Sequence, residues 1–340
     1  MKTIKFAVVG CGHIGKRHAS IIANHPQAEL AALIDIKEIS TLELQQYTAP
    51  FFSSLHSFLQ STIEADVVVI ATPNGLHAMQ AIDCLKADKH VVIEKPIALN
   101  TKDAANIIVA ANTHHKNVFV VMQNRYSAPV AWLKQIATNK ILGDIFSVQL
   151  NCFWNRDERY YLPQTNQVKK DWHGTKELDG GVLFTQFSHF IDIFYWLFGD
   201  VRNIKSIMHS YKKLASFADS GIATFEFGNN SIGCLNFSTA VWNKNFESSI
   251  TIIAENGTVK IGGQYMDTIE YCDIKNYTLP QLQTTSTQND YGSYKGSANN
   301  HHFIIDNVVD VLNDKASIAT TADEGLKVVD IIERMYKAAE

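Results

Sequence analysis

The chain has no apolar run approaching the length of a membrane span, and its first residues read as a strand, not as a signal peptide. Its five cysteines, Cys11, Cys84, Cys152, Cys234 and Cys272, are odd in number, far apart and without a CxxC pair. They give neither a disulfide framework nor a thiolate zinc site, and are expected as reduced thiols packing as small hydrophobes in a cytoplasmic protein. Histidine adds no metal signature, because the pairs His114–His115 and His301–His302 are too close in sequence to define a site, and no metal is expected. Charge is scarce too. At 19% of residues it falls below the usual quarter, which leaves room for buried polar surface or oligomer contacts. A formal net charge of −4 removes the electrostatic reason to expect a nucleic-acid partner. Internal repeats and low-complexity tracts are absent.

What is present is enough apolar material for more than one core. A chain of 340 residues, 46% of them hydrophobic, exceeds the size at which a single core usually keeps growing. Short apolar runs alternate with helical patterns at first: strands at 4–9, 28–35, 65–73, 90–96 and 117–122, with helices near 13–24, 75–86 and 100–114. Apolar strands this continuous need helices on both faces, the requirement of a parallel sheet. After about residue 125 the rhythm changes to a helix at 127–139, a strand at 145–153, a polar aromatic loop at 154–179 and an apolar helix at 182–198. Strands near 201–211, 221–227, 231–239, 247–253 and 257–262 follow, then a turn-rich loop or edge at 280–300 and helices near 299–313 and 321–338. The expected class is α/β: a dinucleotide-binding domain over 1–123, then an α+β domain over 124–340 with a large, mostly antiparallel open sheet. The second is expected to serve substrate binding and oligomerisation, with the last helix free to pack back on the first.

GCGHIG at 10–15 is a GxGxxG that follows a strand and opens a helix. Gly10 permits the tight turn, Gly12 lets a pyrophosphate approach the backbone, and Gly15 lets the helix pack closely, while the helix start at His13 and Ile14 offers N–H groups to phosphate. Asp35 ends the second strand about 20 residues beyond Gly15, where an acid accepts hydrogen bonds from ribose hydroxyls and repels a 2′-phosphate. NAD is therefore the expected cofactor, in preference to NADP. Thr72, Pro73 and Asn74, followed by His77, and Glu94 with Lys95 sit at two further strand exits, the ligand edge of an open parallel sheet.

These segments resemble the Gfo/Idh/MocA family of oxidoreductases along essentially the whole chain: VVGCGHIGKRH at 8–18, ATPNGLH at 71–77, VVIEKPIALN at 91–100 and GGVLFTQFSHFIDIFYWLFGD at 180–200. The resemblance implies an N-terminal Rossmann domain, a C-terminal domain whose open sheet joins subunits into a dimer or tetramer, and oxidation of a sugar or polyol hydroxyl. Within the family, QNRYSAP at 123–129, FWNRDERYY at 153–161 and DWHGTKELDGG at 171–181 are similar to nucleotide-sugar dehydrogenases that oxidise C3 of UDP-N-acetylglucosaminuronate for surface polysaccharide. A UDP-sugar is then the expected substrate. Two positions depart from that subgroup. His173 stands where WRGT has arginine, and Thr185 stands four residues before His189 where Asn or Asp is common.

Oxidising an alcohol requires hydride loss from carbon and proton loss from oxygen. Threonine can hydrogen-bond a hydroxyl but is no carboxylate, so the expected catalytic pair is His189 as general base and Lys95 as the cation that orients the hydroxyl and stabilises alkoxide. Which of the two takes the proton first stays open at this stage. Arg156 and Arg159 are candidate diphosphate or carboxylate ligands, with Lys170 within reach; Tyr160 and Tyr161 are candidate packing surfaces for sugar or base. Asn124 and Arg125 follow the fifth strand, and Trp172 with His173 completes the expected substrate rim. Two alternatives remain: a dehydrogenase of a neutral nucleotide sugar, free sugar or inositol, and a non-catalytic dinucleotide-binding regulator.

Overall fold

Strands buried on both faces need cover above and below, and the first third of the chain alternates strand and helix accordingly. The computed structural model describes residues 2–162, 172–282, 288–290 and 295–340. The elements run β1 (Ile4–Val9), α1 (His13–Asn24), β2 (Ala28–Ile34), β3 (Phe51–Phe52), α2 (Leu55–Leu59), β4 (Val67–Ile70), α3 (His77–Lys86), β5 (His90–Ile93), α4 (Thr101–Thr113) and β6 (Val118–Val120). The six strands form one parallel sheet in the order β3-β2-β1-β4-β5-β6. All four residues of β4 are buried, as a doubly covered strand requires. The order reverses between β1 and β4, so the turns leaving these two strands open the crevice where such sheets bind ligands.

The second body starts with α5 (Ala128–Thr138), β7 (Ile145–Phe153), α6 (Glu158–Tyr161), α7 (Val182–Thr185) and α8 (Ser188–Phe198). It continues through β8 (Val201–His209), β9 (Ser220–Phe227), β10 (Ile232–Ser238), β11 (Glu247–Ala254), β12 (Gly257–Gly262) and β13 (Thr268–Ile274). These strands make a seven-stranded sheet in the order β13-β12-β11-β7-β10-β9-β8, antiparallel at every pairing except β7 with β10. Alternation is clean in β7, where Val148, Leu150 and Cys152 are buried and Gln149 is exposed. The inner face carries aromatics: Phe237 meets Phe187 at 5.7 Å and Phe225 stacks on Phe194 at 5.2 Å. Strands β14 (Gln288–Asp290) and β15 (Lys295–Ala298) form a small antiparallel pair.

The chain ends with α9 (His301–Leu312) and α10 (Ala322–Lys337). Contacts divide the molecule into two units, residues through Met122 with His301–Val329, and Gln123–Asn300 with Asp330–Glu340. Helix α9 belongs to the first unit, where it packs against α1, and its Ile304, Ile305 and Val308 are buried. Among the described residues no helix is long and apolar enough to cross a membrane.

The helix read over 182–198 is two helices. Both Gln186 and Phe187 donate their N–H to Val182 O, and the regular ladder resumes only from Phe187. The break turns Phe187 into the core against Trp154 and Phe237. Elements β3, α2 and β13 were not legible, the first two because they are too short to display a period and the third because it is an edge strand with little burial. Part of the 154–179 loop, including Lys170, and part of 280–300 lie outside the described residues.

Candidate cofactor and catalytic residues

In the first unit the three glycines each meet a distinct demand. Gly10 has φ +85, and a Cβ there would lie 2.6 Å from Ala71 O, so the turn after β1 is pressed against the turn after β4. A Cβ on Gly15 would lie 1.8 Å from Gly10 O, the closest approach of α1 to its own entry turn. Gly12 differs: a Cβ would find no atom within 4 Å, and it caps α1 with no side-chain hydrogen bond. The helix thus begins with exposed N–H groups, His13 and Ile14 at its first positions, and open space over Gly12, which fits a dinucleotide pyrophosphate. Asp35 follows β2, accepting from Cys11 N at 2.7 Å and Lys37 N at 2.8 Å. Its carboxylate is thereby fixed beside the glycine turn, where ribose hydroxyls bind in such sheets.

The exits of β4 and β5 are tied together. His77 is fully buried, with Nδ1 2.7 Å from Pro96 O and Nε2 2.8 Å from Thr72 O. It braces the two turns and does not extend into the crevice as a ligand. Burial holds its imidazole below the usual value. Thr72 donates to Gln80 at 2.7 Å, Pro73 opens the following turn, and Asn74 is buried there. Glu94 is buried beside His18 and His301, accepting from His18 Nε2 at 2.8 Å, and its second oxygen accepts from Lys95 N at 3.3 Å. Lys95 itself is half-buried.

The second unit assembles side chains. His189, on the first turn of α8, is buried, and its Nε2 lies 3.3 Å from the amide nitrogen of Gln123. Asn124 is also buried, and both its amide atoms lack a hydrogen-bond partner among the described residues. Arg125 is held differently: Nε and Nη2 donate to the two oxygens of Asp192 at 2.8 and 2.6 Å, and its guanidinium lies 5.0 Å over Trp196. A cation matched this closely is part of the fabric of the unit, and its expected place among the substrate ligands gains no support from the geometry.

A second cluster surrounds Arg156. The buried guanidinium sits 4.9 Å over Trp154 and 5.1 Å over Tyr160, and donates to Asn155 O at 2.6 Å. Tyr160 meets His173 edge-on at 4.5 Å, His173 stacks on Trp172 at 4.1 Å, and Gln186 donates to the Tyr160 hydroxyl at 2.9 Å. Arg156, Tyr160, Trp172 and His173, read from separate segments, therefore stand together. Tyr161 packs inward, where burial pushes its phenol up. Arg159 turns away to the surface, donating to Asp157 at 2.7 Å and Asn243 O at 2.6 Å.

Thr185 brings in a residue that sequence reasoning missed. Its hydroxyl donates to the carboxylate of Asp179, which is fully buried and also accepts from Gly174 N at 2.7 Å. With its proton committed there, the Thr185 oxygen is left as an acceptor, backed by a carboxylate six residues upstream. Gln123 was missed as well. The only signal for either was the company kept in sequence, Gln123 beside Asn124 and Asp179 before the paired glycines.

Comparison with known proteins accounts for both units. Residues 4–122 match the family model described as oxidoreductase family, NAD-binding Rossmann fold, and residues 130–260 match the GFO/IDH/MocA C-terminal domain. The WlbA dehydrogenase from Bordetella pertussis, solved in complex with NADH and UDP-GlcNAcA, superposes with a TM-score of 0.86 at 31% identity, over 99% of this chain and 97% of that one. WlbA from Chromobacterium violaceum, with the same ligands, gives 0.88 at 30% identity, over 100% and 94%. A 2,7-anhydro-N-acetylneuraminate hydratase of Escherichia coli is 26% identical over 77% of this chain and 71% of its own length.

Proposed function

The chain belongs to the Gfo/Idh/MocA family of NAD-binding oxidoreductases, and on that premise we propose that it oxidises the C3 hydroxyl of UDP-N-acetylglucosaminuronate to the 3-keto sugar. The observation that carries this reading is the Arg156 cluster: a buried guanidinium framed by Trp154 and Tyr160, with His173 and Trp172 beside them. Guanidinium and aromatic faces suit an anionic nucleotide sugar. The two WlbA dehydrogenases, similar along nearly their whole length, were solved with such a ligand.

Gly10, Gly12, Gly15, the start of α1 and Asp35 would hold NAD⁺, which would supply the hydride acceptor. The chain's own groups do the rest. His189 takes the hydroxyl proton on an imidazole nitrogen. Lys95 sets its ammonium against the developing alkoxide, which lowers the cost of separating that charge. Thr185 accepts a hydrogen bond from a sugar hydroxyl, its own proton being held by Asp179. Asn124, a buried amide with both ends open, serves the polar groups of the substrate.

A neutral UDP-N-acetylglucosamine would leave a carboxylate-binding donor unpaired, at a cost of about 1–3 kcal/mol. Steady-state kinetics should then show roughly tenfold lower kcat/KM for the neutral sugar. Equal efficiency would favour the neutral-sugar reading, which His173 in place of arginine supports. Product NMR must place the carbonyl at C3; a hydrated product, the type of activity named for the Escherichia coli relative, would overturn the reaction assigned. The protein is further proposed to form a homo-oligomer through the outer face of the seven-stranded sheet, where Ile207, Ile222 and Ile232 are exposed. Light scattering should give a multiple of the 38.0 kDa chain mass; a monomer at assay concentration rules this out.

A further inference from the structure

We propose that His18 and His301 are positioning residues for Lys95, acting through the carboxylate of Glu94. The inference rests on the catalytic reading of Lys95 given above. Three elements of the first unit meet at Glu94: α1 brings His18, the turn after β5 brings Glu94 and Lys95, and α9 brings His301 from the far end of the chain. His18 Nε2 is 2.8 Å from Glu94 Oε1, and His301 Nε2 is 3.5 Å from the same oxygen. The other oxygen accepts from the Lys95 main-chain N–H at 3.3 Å. Both imidazoles are fully buried, and they meet edge to face at 5.3 Å.

A carboxylate in a protein interior is costly unless donors meet its oxygens. Here one oxygen is met by histidine and the other by the peptide that carries Lys95, so another Glu94 rotamer would forfeit both. The seat of Glu94 therefore fixes the main chain from which the Lys95 side chain departs, and a lysine with four free torsions gains its aim from that anchor. Burial alone would raise the Glu94 carboxyl, but the His18 hydrogen bond and the nearby His301 ring hold it well below its usual value. Burial keeps His301 below the usual histidine range. The charged or titratable groups facing this carboxylate are His18, with Arg17 next to it on α1, His77 on α3, His301 on α9, and Lys95. The three ligand-type side chains also lie close enough to suggest a metal. Against that, the His18–Glu94 distance is that of a hydrogen bond, and among the described residues neither Nδ1 has the acceptor that a metal-bound imidazole ordinarily uses.

The test compares full-length His18→Ala, His18→Gln, His301→Ala and Lys95→Ala. Circular dichroism reports folding, a titration gives NADH affinity, and kcat is measured from pH 5 to 9. Lys95→Ala is expected to lose about 10²–10³ in kcat. His18→Ala and His301→Ala are expected to lower kcat about 10- to 100-fold through misplacement. NADH affinity should stay near the parent value, and a new acidic limb should enter the profile as Glu94 titrates in range. His18→Gln retains an N–H donor and should recover most of the rate. Should one histidine variant fail to fold, the other carries the test, since His301 makes the looser contact. Parent kcat and parent pH profile in the folded histidine variants, with Lys95→Ala inactive, overturn this inference alone. Full turnover by Lys95→Ala overturns it together with the catalytic reading of Lys95. Stoichiometric metal in the purified protein, lost along with activity on chelation, also overturns it.

Discussion

The two units reach their ligands by different means. In the first, the surface proposed for the cofactor is largely main chain: a turn squeezed between Gly10 and Ala71, a helix start without a side-chain cap, and empty space over Gly12. In the second, side chains make the surface, and each guanidinium there is held by neighbours: Arg125 by Asp192, Arg159 by Asp157, Arg156 by Asn155 and two aromatic rings. A backbone site is rigid because the fold is rigid. A side-chain site must be made rigid, and the cost is a network of buried polar pairs whose loss destabilises the whole unit.

The sharpest way to test that contrast is Arg125→Ala. It leaves Asp192 buried at 1% exposure with its main counter-ion removed, an effect of about 3–5 kcal/mol when one partner of a buried pair is deleted. All five tryptophans, Trp132, Trp154, Trp172, Trp196 and Trp242, lie in the second unit, so tryptophan fluorescence during urea unfolding reads that unit directly. The expected outcome is a large fall in the fluorescence midpoint with NADH binding retained. A midpoint within error of the parent would mean that the pair does not organise the unit.

The same difference decides what could be read from sequence. A main-chain site has to be spelled as contiguous glycines, because only glycine tolerates φ +85 at residue 10 and a neighbour 1.8 Å from a Cβ at residue 15. That is why the glycine turn of GCGHIG stands out in the sequence. The proposed side-chain site draws on residues 123, 156, 160, 173, 185 and 189, which no periodicity joins, so its members could be suggested only by family resemblance. Even then, nothing in QNRY announces the Asp192 partner of Arg125, 67 residues away. His77 carries the same lesson in the first unit: its place in ATPNGLH marks the ligand edge, but its ring spans two carbonyls.

The glycines offer a smaller effect with an internal control. Gly15→Ala drives a Cβ into Gly10 O, an overpacking expected to cost about 1–3 kcal/mol of stability and to disturb NADH binding with it. Gly12→Ala meets nothing within 4 Å and has φ −69, so the fold should be untouched. It fills the space left for pyrophosphate, and NADH affinity should fall about tenfold, or 1.4 kcal/mol. Thermal melts and NADH titrations on both variants decide it. If Gly12→Ala binds like the parent, the cofactor does not approach the chain there.

The smallest effect concerns acid. The first unit buries His77 and His301, both held below the histidine value of 6.5 by burial, and Glu94, held well below 4.5 by its histidine contacts against the opposing effect of burial. A group whose folded pKa is depressed is less protonated in the folded chain than in the unfolded one. As pH drops past 6.5 the unfolded chain takes up protons on His77 and His301 that the folded chain refuses, and below 4.5 the same holds for Glu94. Each step favours unfolding, so the stability these groups contribute is complete above pH 6.5 and is lost as pH falls through their folded values. In the second unit the carboxyls held low, Asp157 and Glu270, lie near the surface, where solvent screens the effect. Acid should therefore loosen the first unit before the second. The measurement is a titration from pH 7.5 to 3.5 that follows NADH binding and far-ultraviolet ellipticity alongside tryptophan fluorescence. Loss of NADH binding and part of the ellipticity is expected at higher pH than the fluorescence change. Coincident transitions would show that buried ionisable groups do not set the order in which the units yield, and the contrast between them would then stop at how they hold ligands.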